Sequence, residues 1–291
     1  MTGAIRIDAA WCGRNPLPVH ESGTDKNARG RVVLVGGARF VPGALRLTGE
    51  AALRAGAGKL QMATVEAVAT SLGVLVPEAA MIALPMREDG EIAPAAIDEL
   101  REVAPRCDIM IVGPGMSATP ETEELVEAII GLDPPALLLD AAALTGAKTL
   151  SDALAHYRGA LVLTPHHGEM AAYTGQRIDD ISADPAAAAT RLAARLGGII
   201  VLKGGETWIA SPNGALHHYD GGCPGLATGG SGDVLAGIIG GLLARGANPV
   251  DAACWGTWLH GEAGVQAAAA IGPVGFMARD LLSLIPGLMA A

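Results

Sequence analysis

The sequence predicts an α/β fold of three layers, in which helices cover both faces of a central, mostly parallel sheet. Short aliphatic runs alternate along the chain with longer segments of helical spacing, which is the pattern of strands joined by crossover helices. The chain has 291 residues, of which 50% are hydrophobic and 17% are charged, so it can bury a large core. No linker or repeat divides it, and we predict an N-terminal arm at 1–30 and one domain at 31–291.

Aliphatic and β-branched segments predict strands at 31–35, 59–64, 80–84, 108–112, 136–139, 160–163, 199–202, 207–210 and 215–219. The last two flank the sequence Pro212-Asn213-Gly214, a turn that predicts a hairpin. Helical spacing predicts helices at 43–57, 121–130, 185–196, 232–245, 250–270 and 277–287.

Glycines and polar residues follow several of the predicted strands at their carboxyl ends. These strand ends carry Gly36-Gly37, the glycines of 113–115, Asp140, the segment 164–169, and Lys203-Gly204-Gly205. Ligands of parallel sheets bind in the crevice beyond the carboxyl ends of the strands. The pattern therefore predicts a ligand site along one edge of the sheet.

A glycine-rich loop at 224–232 leads into the predicted helix at 232–245. Free N–H groups and the positive end of the helix dipole make such a loop an anion site, most often for phosphate. No lysine follows the glycines, so the loop is not a Walker A motif. Asp233, in the first turn, either complements the helix dipole or acts as a base toward a hydroxyl during phosphoryl transfer.

Two further segments are open to a functional and a structural interpretation. In 163–170, His166 contacts a ligand and Glu169 holds Mg²⁺ through water, or Glu169 caps a helix beside surface histidines. In 201–210, Lys203 contacts a nucleotide phosphate with Thr207 as a hydroxyl donor, or the segment is a plain turn. Asp140 either contacts metal or ligand, or caps the next helix.

The overall composition argues against several classes of function. A net charge of −10 and an aromatic content of 3% speak against nucleic acid or an anionic membrane as the partner. The four cysteines match no metal spacing and predict free thiols in a reducing compartment. We see no signal-peptide core or membrane-spanning run, and we therefore expect a cytoplasmic protein.

Several motifs occur one after another along most of the chain. They are GGARFVPGA, AALRAGAGKL, VGPGM, LLLDAAAL, LTPHHGEM, LKGGETWIA and PGLATGGSGDVLAGIIGGLLARG. With these motifs, from about Gly30 to Pro286, the chain resembles the ADP-dependent NAD(P)H-hydrate dehydratase family of the ribokinase-like superfamily. The segment GLATGGSGDVLAGIIGGLLA is the most specific of them, and LTPHxGE supports it.

The resemblance implies a ribokinase-like fold and a repair enzyme for nicotinamide nucleotides. Members of this family phosphorylate the hydroxyl of hydrated NADH or NADPH with ADP and then release phosphate, which restores the double bond and leaves AMP. The resemblance also implies Mg²⁺ as cofactor and a homotetramer. Bifunctional relatives carry a fused epimerase domain, and because 291 residues leave no room for it, we expect a separate epimerase.

Matched residue by residue, the resemblance implies Asp233 as the catalytic base and the N–H groups of 229–232 as stabilisers of the transferred phosphoryl group. It implies contacts to the hydrate from Ala44, Gly115, His166 and Asp233, contacts to the nucleotide from Lys203, Gly204, Gly205, Glu206, Thr207, Gly229, Gly230 and Gly232, and an Mg²⁺ contact through water from Glu169.

Three positions depart from the family pattern. LDADAL reads LDAAAL here, so Ala142 replaces a second acid; KGAGT reads KGGET, which puts Glu206 beside the nucleotide; and HPGE reads HHGE at His167. Two other functions stay open. One is a ribokinase-like kinase for a small alcohol of the hydroxyethylthiazole or hydroxymethylpyrimidine type, and the other is a non-catalytic nucleotide-binding homologue.

Overall fold

Aliphatic runs form a ten-stranded sheet in the computed structural model, which describes residues 3–21, 23, 25–144 and 147–290. The strands are β1 (Ile5–Arg6), β2 (Arg31–Val35), β3 (Lys59–Val65), β4 (Ala79–Leu84), β5 (Ile109–Val112), β6 (Ala136–Leu139), β7 (Ala160–Leu163), β8 (Ile199–Leu202), β9 (Thr207–Ala210) and β10 (Leu216–Tyr219).

The spatial order of the strands is β1-β10-β9-β8-β7-β6-β5-β2-β3-β4. From β8 to β4 in that order, neighbouring strands are parallel. β9 is antiparallel to both β8 and β10, as the predicted hairpin requires. The carboxyl ends of the parallel strands therefore share one edge of the sheet, where the predicted site residues lie.

Helices connect and cover these strands. They are α1 (Ala9–Arg14), α2 (Pro42–Arg54), α3 (Glu66–Leu75), α4 (Ile97–Val103), α5 (Pro120–Gly131), α6 (Ala147–His156), α7 (His167–Thr174), α8 (Ile178–Ala183), α9 (Pro185–Leu196), α10 (Ser231–Ala244), α11 (Pro249–Ala270), α12 (Ala278–Leu281) and α13 (Ile285–Leu288). Among the described residues, no helix combines the length and the hydrophobicity that crossing a bilayer requires.

Successive residues of each parallel strand face opposite sides of the sheet, and each side has its own hydrophobic core. In β2, Val32 and Leu34 pack with α2, α10 and α11, whereas Val33 and Val35 belong to the core under α5, α6 and α9. Strands that are buried on both faces are continuous aliphatic runs, which explains why they were predictable. The predicted three-layer fold is confirmed.

The helices α2 and α10 lie in direct backbone contact on one face of the sheet. A Cβ placed on Gly237 would collide with the Thr48 carbonyl oxygen, and one on Gly241 would collide with that of Ala52. Because only glycine fits at these two positions, the close approach is built into the α10 sequence.

The structure differs from the sequence-based expectation in two regions. Within the stretch predicted as an arm, β1 pairs with β10 and Asp8 caps α1 by accepting a hydrogen bond from the Trp11 N–H. The helix predicted at 277–287 is instead two short helices, α12 and α13, separated by a turn. Pro286 has no N–H and its ring would clash with the carbonyl four residues earlier, so a continuous helix is excluded there.

Candidate active site

The ends of neighbouring parallel strands contact one another directly along the site edge. A Cβ on Gly36, after β2, would collide with the Pro114 carbonyl oxygen, after β5. One on Gly113 would collide with the carbonyl oxygen of Asp140, after β6. Gly113 has φ +119°, a left-handed conformation that favours glycine. These contacts continue through side chains to the ends of β7 and β8.

Asp140 is the centre of those side-chain contacts. Its Oδ1 accepts hydrogen bonds from Thr164 Oγ1 at 2.7 Å and from Lys203 Nζ at 2.8 Å. Lys203 Nζ also lies 3.8 Å from Glu169 Oε2. Burial opposes the charged form of Lys203, but the charges of Asp140 and Glu169 outweigh it and raise the pKa of the ammonium group. Asp140 therefore holds Lys203 rather than capping a helix.

The amino end of α10 lies next to the side chain of Lys203. Gly230 is the N-cap residue with φ +88°, and no side chain caps the first turn of the helix. Lys203 Nζ lies 3.4 Å from the position that a Cβ on Gly232 would occupy. An anion at this helix end would therefore meet both backbone N–H groups and a lysine.

Asp233 is half-buried in the first turn of α10. Burial raises its pKa to about 6, and the negative charges of Asp140 and Glu169 add to the effect while Lys203 opposes it. A carboxylate with such a pKa is ionised at neutral pH and is a stronger base than an ordinary aspartate. A raised pKa is typical of acids in functional sites, and the role of Asp233 as a base stays a prediction.

His166 and Glu169 form a reciprocal cap at the start of α7. The Glu169 N–H donates to His166 Nδ1 at 3.1 Å, and the His166 N–H donates to Glu169 Oε2 at 2.8 Å. Glu169 therefore caps α7, as one of its two interpretations predicted. His166 remains exposed at the site edge, where its ring is accessible to a ligand.

The described residues contain no group of three or more His, Cys, Asp or Glu side chains that could hold a metal. Mg²⁺ does not need such a group, since it binds through one or two carboxylates together with water and substrate phosphates. Glu169 is a carboxylate of this kind beside the α10 anion site. The residues present fit an Mg²⁺ ion that is carried mainly by a nucleotide.

The two small residues predicted to contact the hydrate lie together at the other end of the site edge. Gly115 has φ +70°, and a Cβ there would lie 3.1 Å from the Ala44 Cβ and 2.5 Å from the Val41 carbonyl oxygen. Ala44 itself is buried in the first turn of α2. A larger side chain at Gly115 would therefore obstruct this part of the edge.

The loop at 203–207 presents its backbone to solvent, with Gly204, Gly205 and Glu206 exposed and Thr207 partly buried at the start of β9. Glu206 Oε2 lies 2.9 Å from the His218 Nε2 on β10. Its carboxylate therefore has a partner on the neighbouring strand. Gly229 is exposed across the site, so both predicted nucleotide loops are accessible.

Sequence reasoning missed one polar contact behind the anion site. Ser231 Oγ lies 2.9 Å from His260 Nε2, where His260 belongs to α11. Burial lowers the pKa of His260 to about 4, so the ring is neutral at pH 7 and its Nε2 can accept a hydrogen bond from the serine hydroxyl. A histidine within the long, largely buried α11 was the signal in the sequence, but nothing local to it indicated Ser231 as the partner.

Ala142, one of the three departures from the family pattern, lies in a tight turn. Ala142 is buried in a turn of 3₁₀ helix after Asp140, and Ala141 before it has φ +49°. That left-handed conformation is uncommon for alanine and is typical of strained functional turns. The methyl group of Ala142 therefore lies buried in the turn that directly follows Asp140.

Comparison with known proteins decides the family. A family model described as NAD(P)H-hydrate dehydratase matches residues 32–287. The chain belongs to the NAD(P)H-hydrate dehydratase family. The resemblance stated from the motifs is thereby confirmed, and the match covers the sheet from β2 to β10, the site edge and both of the helices α2 and α10.

Individual relatives agree with this family. The chain is 44% identical over 285 residues, or 97% of its length and 95% of the relative's, to the ADP-dependent (S)-NAD(P)H-hydrate dehydratase of Xanthomonas campestris pathovar campestris. It is similar to the ADP/ATP-dependent NAD(P)H-hydrate dehydratase of Bacillus subtilis co-crystallised with ATP/Mg²⁺, with a TM-score of 0.86, 28% identity and coverage of 100% and 99%. The ribokinase of Thermotoga maritima, with a TM-score of 0.55, 15% identity and coverage of 88% and 99%, shares the fold.

Proposed function

We propose that this chain catalyses ADP-dependent dehydration of hydrated NADH and NADPH, as a hydro-lyase. The observation that carries the proposal is the placement of Asp233 in the uncapped first turn of α10, beside Lys203, in a chain of this family. A base and an anion site at the same helix end provide what phosphoryl transfer to an alcohol requires.

In the first step, Asp233 takes the proton from the hydroxyl of the hydrate while the hydroxyl oxygen attacks the terminal phosphorus of ADP. The bond from that phosphorus to the bridging oxygen breaks, and AMP leaves. Phosphate then leaves the ring, a proton leaves the neighbouring carbon, and the double bond is restored. A base of this kind contributes about 10²–10⁴-fold to the rate.

We assign the remaining predicted residues by their position along the site edge. Lys203 and the N–H groups of 229–232 bind the transferred phosphoryl group, and the exposed loop from Gly204 to Thr207 binds the rest of the nucleotide. Ala44, Gly115 and His166 line the position of the hydrate. These assignments follow the family motifs and the open backbone at both loops.

We assign Glu169 to Mg²⁺, which it would contact through water. When it is bound with a nucleotide, Mg²⁺ supplies positive charge at the phosphates. Lys203 lies within 3.8 Å of Glu169, so the carboxylate is already oriented toward the anion site. The reciprocal cap with His166 fixes this orientation.

The assembly and the compartment are further parts of the proposal. The family resemblance supports a homotetramer, which light scattering on the purified protein would detect as four times the chain mass. The acidic composition, the free thiols and the lack of a spanning helix in the described residues support a cytoplasmic location.

One assay tests the proposed activity. The protein is incubated with NADH hydrate, ADP and Mg²⁺, and the recovery of dihydronicotinamide absorbance is followed. We expect recovery with stoichiometric formation of AMP and phosphate. No recovery at high enzyme concentration would contradict the proposal; a stable phosphoester formed from a small alcohol and ATP would indicate a kinase, and nucleotide binding without turnover would indicate a non-catalytic homologue.

A further inference from the structure

A large cavity lies at the opposite end of the molecule from the site edge. Its volume is about 1240 Å³, and it is bordered by the carboxyl ends of α2 and α10, by α11 and by the segment at 16–21. The helices α2 and α10 have 13 and 14 residues, so the cavity is about 20 Å from the anion site along their axes. It is as large as or larger than typical small-ligand pockets.

Positive charge is concentrated on the wall of this cavity. Of the described residues that line it, Arg29, Arg54 and Arg245 carry guanidinium groups, and Glu21 carries a carboxylate. We call this feature the arginine cavity. This local excess of arginine contrasts with the net charge of −10 of the chain.

Arg245 is the most constrained of these arginines. Its Nη2 donates to the Pro18 carbonyl oxygen at 2.8 Å and its Nη1 to that of Ala55 at 3.4 Å. Its Nε–H is shielded from solvent and has no hydrogen-bond partner in the described structure. Burial and then the charge of Arg29 lower the pKa of Arg245. The charged form of this arginine is therefore less favourable than it would be in water.

None of the ion pairs in the described part of the chain involves Arg29, Arg54 or Arg245. Position at two helix carboxyl ends accounts for part of the stabilisation of these charges. Arg29 and Arg54 are exposed to water, but Arg245 is partly buried, and a charge that is removed from water is normally paired with an opposite charge.

The remainder of the wall is apolar and aromatic. Trp255 and Trp258 on α11 pack edge to face with ring centres 5.5 Å apart, and both rings border the cavity. Leu17, Leu53 and Leu288 also line it. The cavity therefore offers a positive head-group site next to a surface that would bind an apolar body.

We propose that the arginine cavity binds an organic anion, with its carboxylate or phosphate head group paired to Arg245 and its apolar body against Trp258. The class is defined by these two properties together. A purely inorganic anion would leave the aromatic wall without a contact, and a neutral apolar compound would leave the guanidinium group unpaired.

A matched pair of fluorescent dyes tests both properties on the intact protein. One is 1-anilinonaphthalene-8-sulfonate, and the other is N-phenyl-1-naphthylamine, which has the same ring system without the sulfonate. We expect Arg245→Gln to weaken binding of the sulfonate dye at least tenfold and to change binding of the neutral dye less than twofold. Arg191→Gln, at an exposed position on α9, is the matched control and should change neither.

Arg54→Gln is a second variant for the same test, because Arg54 is exposed and its loss does not threaten the fold. We expect it to weaken only the sulfonate dye, about threefold. Equal losses for both dyes, or no loss in either arginine variant, would overturn the proposal. So would dye binding that occurs only when subunits dissociate, since this face would then be an interface between copies of the chain.

Displacement of the bound sulfonate dye identifies the head group. Decanoate and decyl phosphate are titrated separately, with decanol as the neutral control of the same chain length. Displacement by either anion at concentrations where decanol has no effect supports the proposal and distinguishes the two head groups. Displacement by decanol at the same concentrations as the anions would contradict it.

Discussion

The two ends of the helix pair α2 and α10 treat charge in opposite ways. At their amino ends, Asp140 and Lys203 contact each other at 2.8 Å, and Glu169 is nearby. At their carboxyl ends, Arg245 donates to two backbone carbonyl groups and to Met289 Sδ, and Arg29 donates to the Gly56 carbonyl oxygen. Lys203 is paired with carboxylates at the first end, which we call the catalytic end. The arginines of the arginine cavity form no ion pair within the described part of the chain.

This difference in ion pairing determines how each end can interact with a ligand. At the catalytic end the lysine is already paired with Asp140, so a nucleotide would depend on the backbone N–H groups as well as on Lys203. Burial and the neighbouring carboxylates raise the pKa of Asp233. At the arginine cavity an anion would meet guanidinium groups that form no ion pair within the described part of the chain. A buried carboxylate among other carboxylates favours chemistry with a base of raised pKa, whereas guanidinium groups without an ion pair favour binding of an anion.

The largest expected effect is on turnover at the catalytic end. Asp233→Asn should lower kcat about 10²–10⁴-fold, because it removes the base and leaves the helix end intact. Binding of ADP, measured by calorimetry, should remain. Asp180→Asn, at an exposed position on α8, is the control. A kcat within threefold of the unmodified enzyme would show that Asp233 is not the base.

Next in size is the stability difference between the two ends. Lys203→Met leaves the buried Asp140 carboxylate unpaired and should lower the free energy of unfolding by about 3–5 kcal/mol. Arg245→Met removes hydrogen bonds but no ion pair and should cost only about 1–2 kcal/mol. Urea denaturation of both variants measures the difference, with the exposed Lys26→Met as control. Equal losses of unfolding free energy in the two variants would show that ion pairing does not distinguish the two ends.

The pH profile is a finer test of the negative surroundings of Asp233. With the pKa of its carboxyl at about 6 in the free protein, kcat/KM should fall as the pH drops below about 6, because the base becomes protonated. Asp140→Asn removes a negative charge that raises this pKa, so the midpoint should move to lower pH. A midpoint that stays in place would mean that Asp140 does not act on Asp233.

The smallest expected effect concerns Glu206, which departs from the family pattern. Glu206→Gln removes a negative charge near the nucleotide loop, but the side chain is exposed and paired with His218. We expect ADP to bind about two- to threefold more tightly, since exposed charges contribute little. Glu127→Gln, on the exposed face of α5, should have no effect. Weaker ADP binding in Glu206→Gln would indicate a favourable contact instead.

Much of the fold was predictable because strands buried on both faces are uninterrupted aliphatic runs. The start of α3 was not predictable, since it follows β3 directly and its N-cap residue, Val65, provides no capping side chain. The break between α12 and α13 was missed although Pro286 is visible in the sequence. There the helical spacing of the apolar residues outweighed the proline in our interpretation.

The site was predictable as a set of strand ends but not as a set of contacts. Lys203 and Asp140 were each identified at a strand end, yet their pairing depends on the spatial order of β6, β7 and β8. The contact between Ser231 and His260 depends on how α11 packs on α10. Such contacts depend on tertiary packing between distant segments, which local sequence patterns do not contain.

The glycines on α10 make the distance between the two helices a property of the sequence. A Cβ at Gly237 would overlap the Thr48 carbonyl oxygen, and one at Gly241 would overlap that of Ala52. Backbone atoms cannot change rotamer to make room, so an alanine at either position would force α2 and α10 apart. Because the same two helices border both the anion site and the arginine cavity, such a substitution would alter the spacing of residues at both.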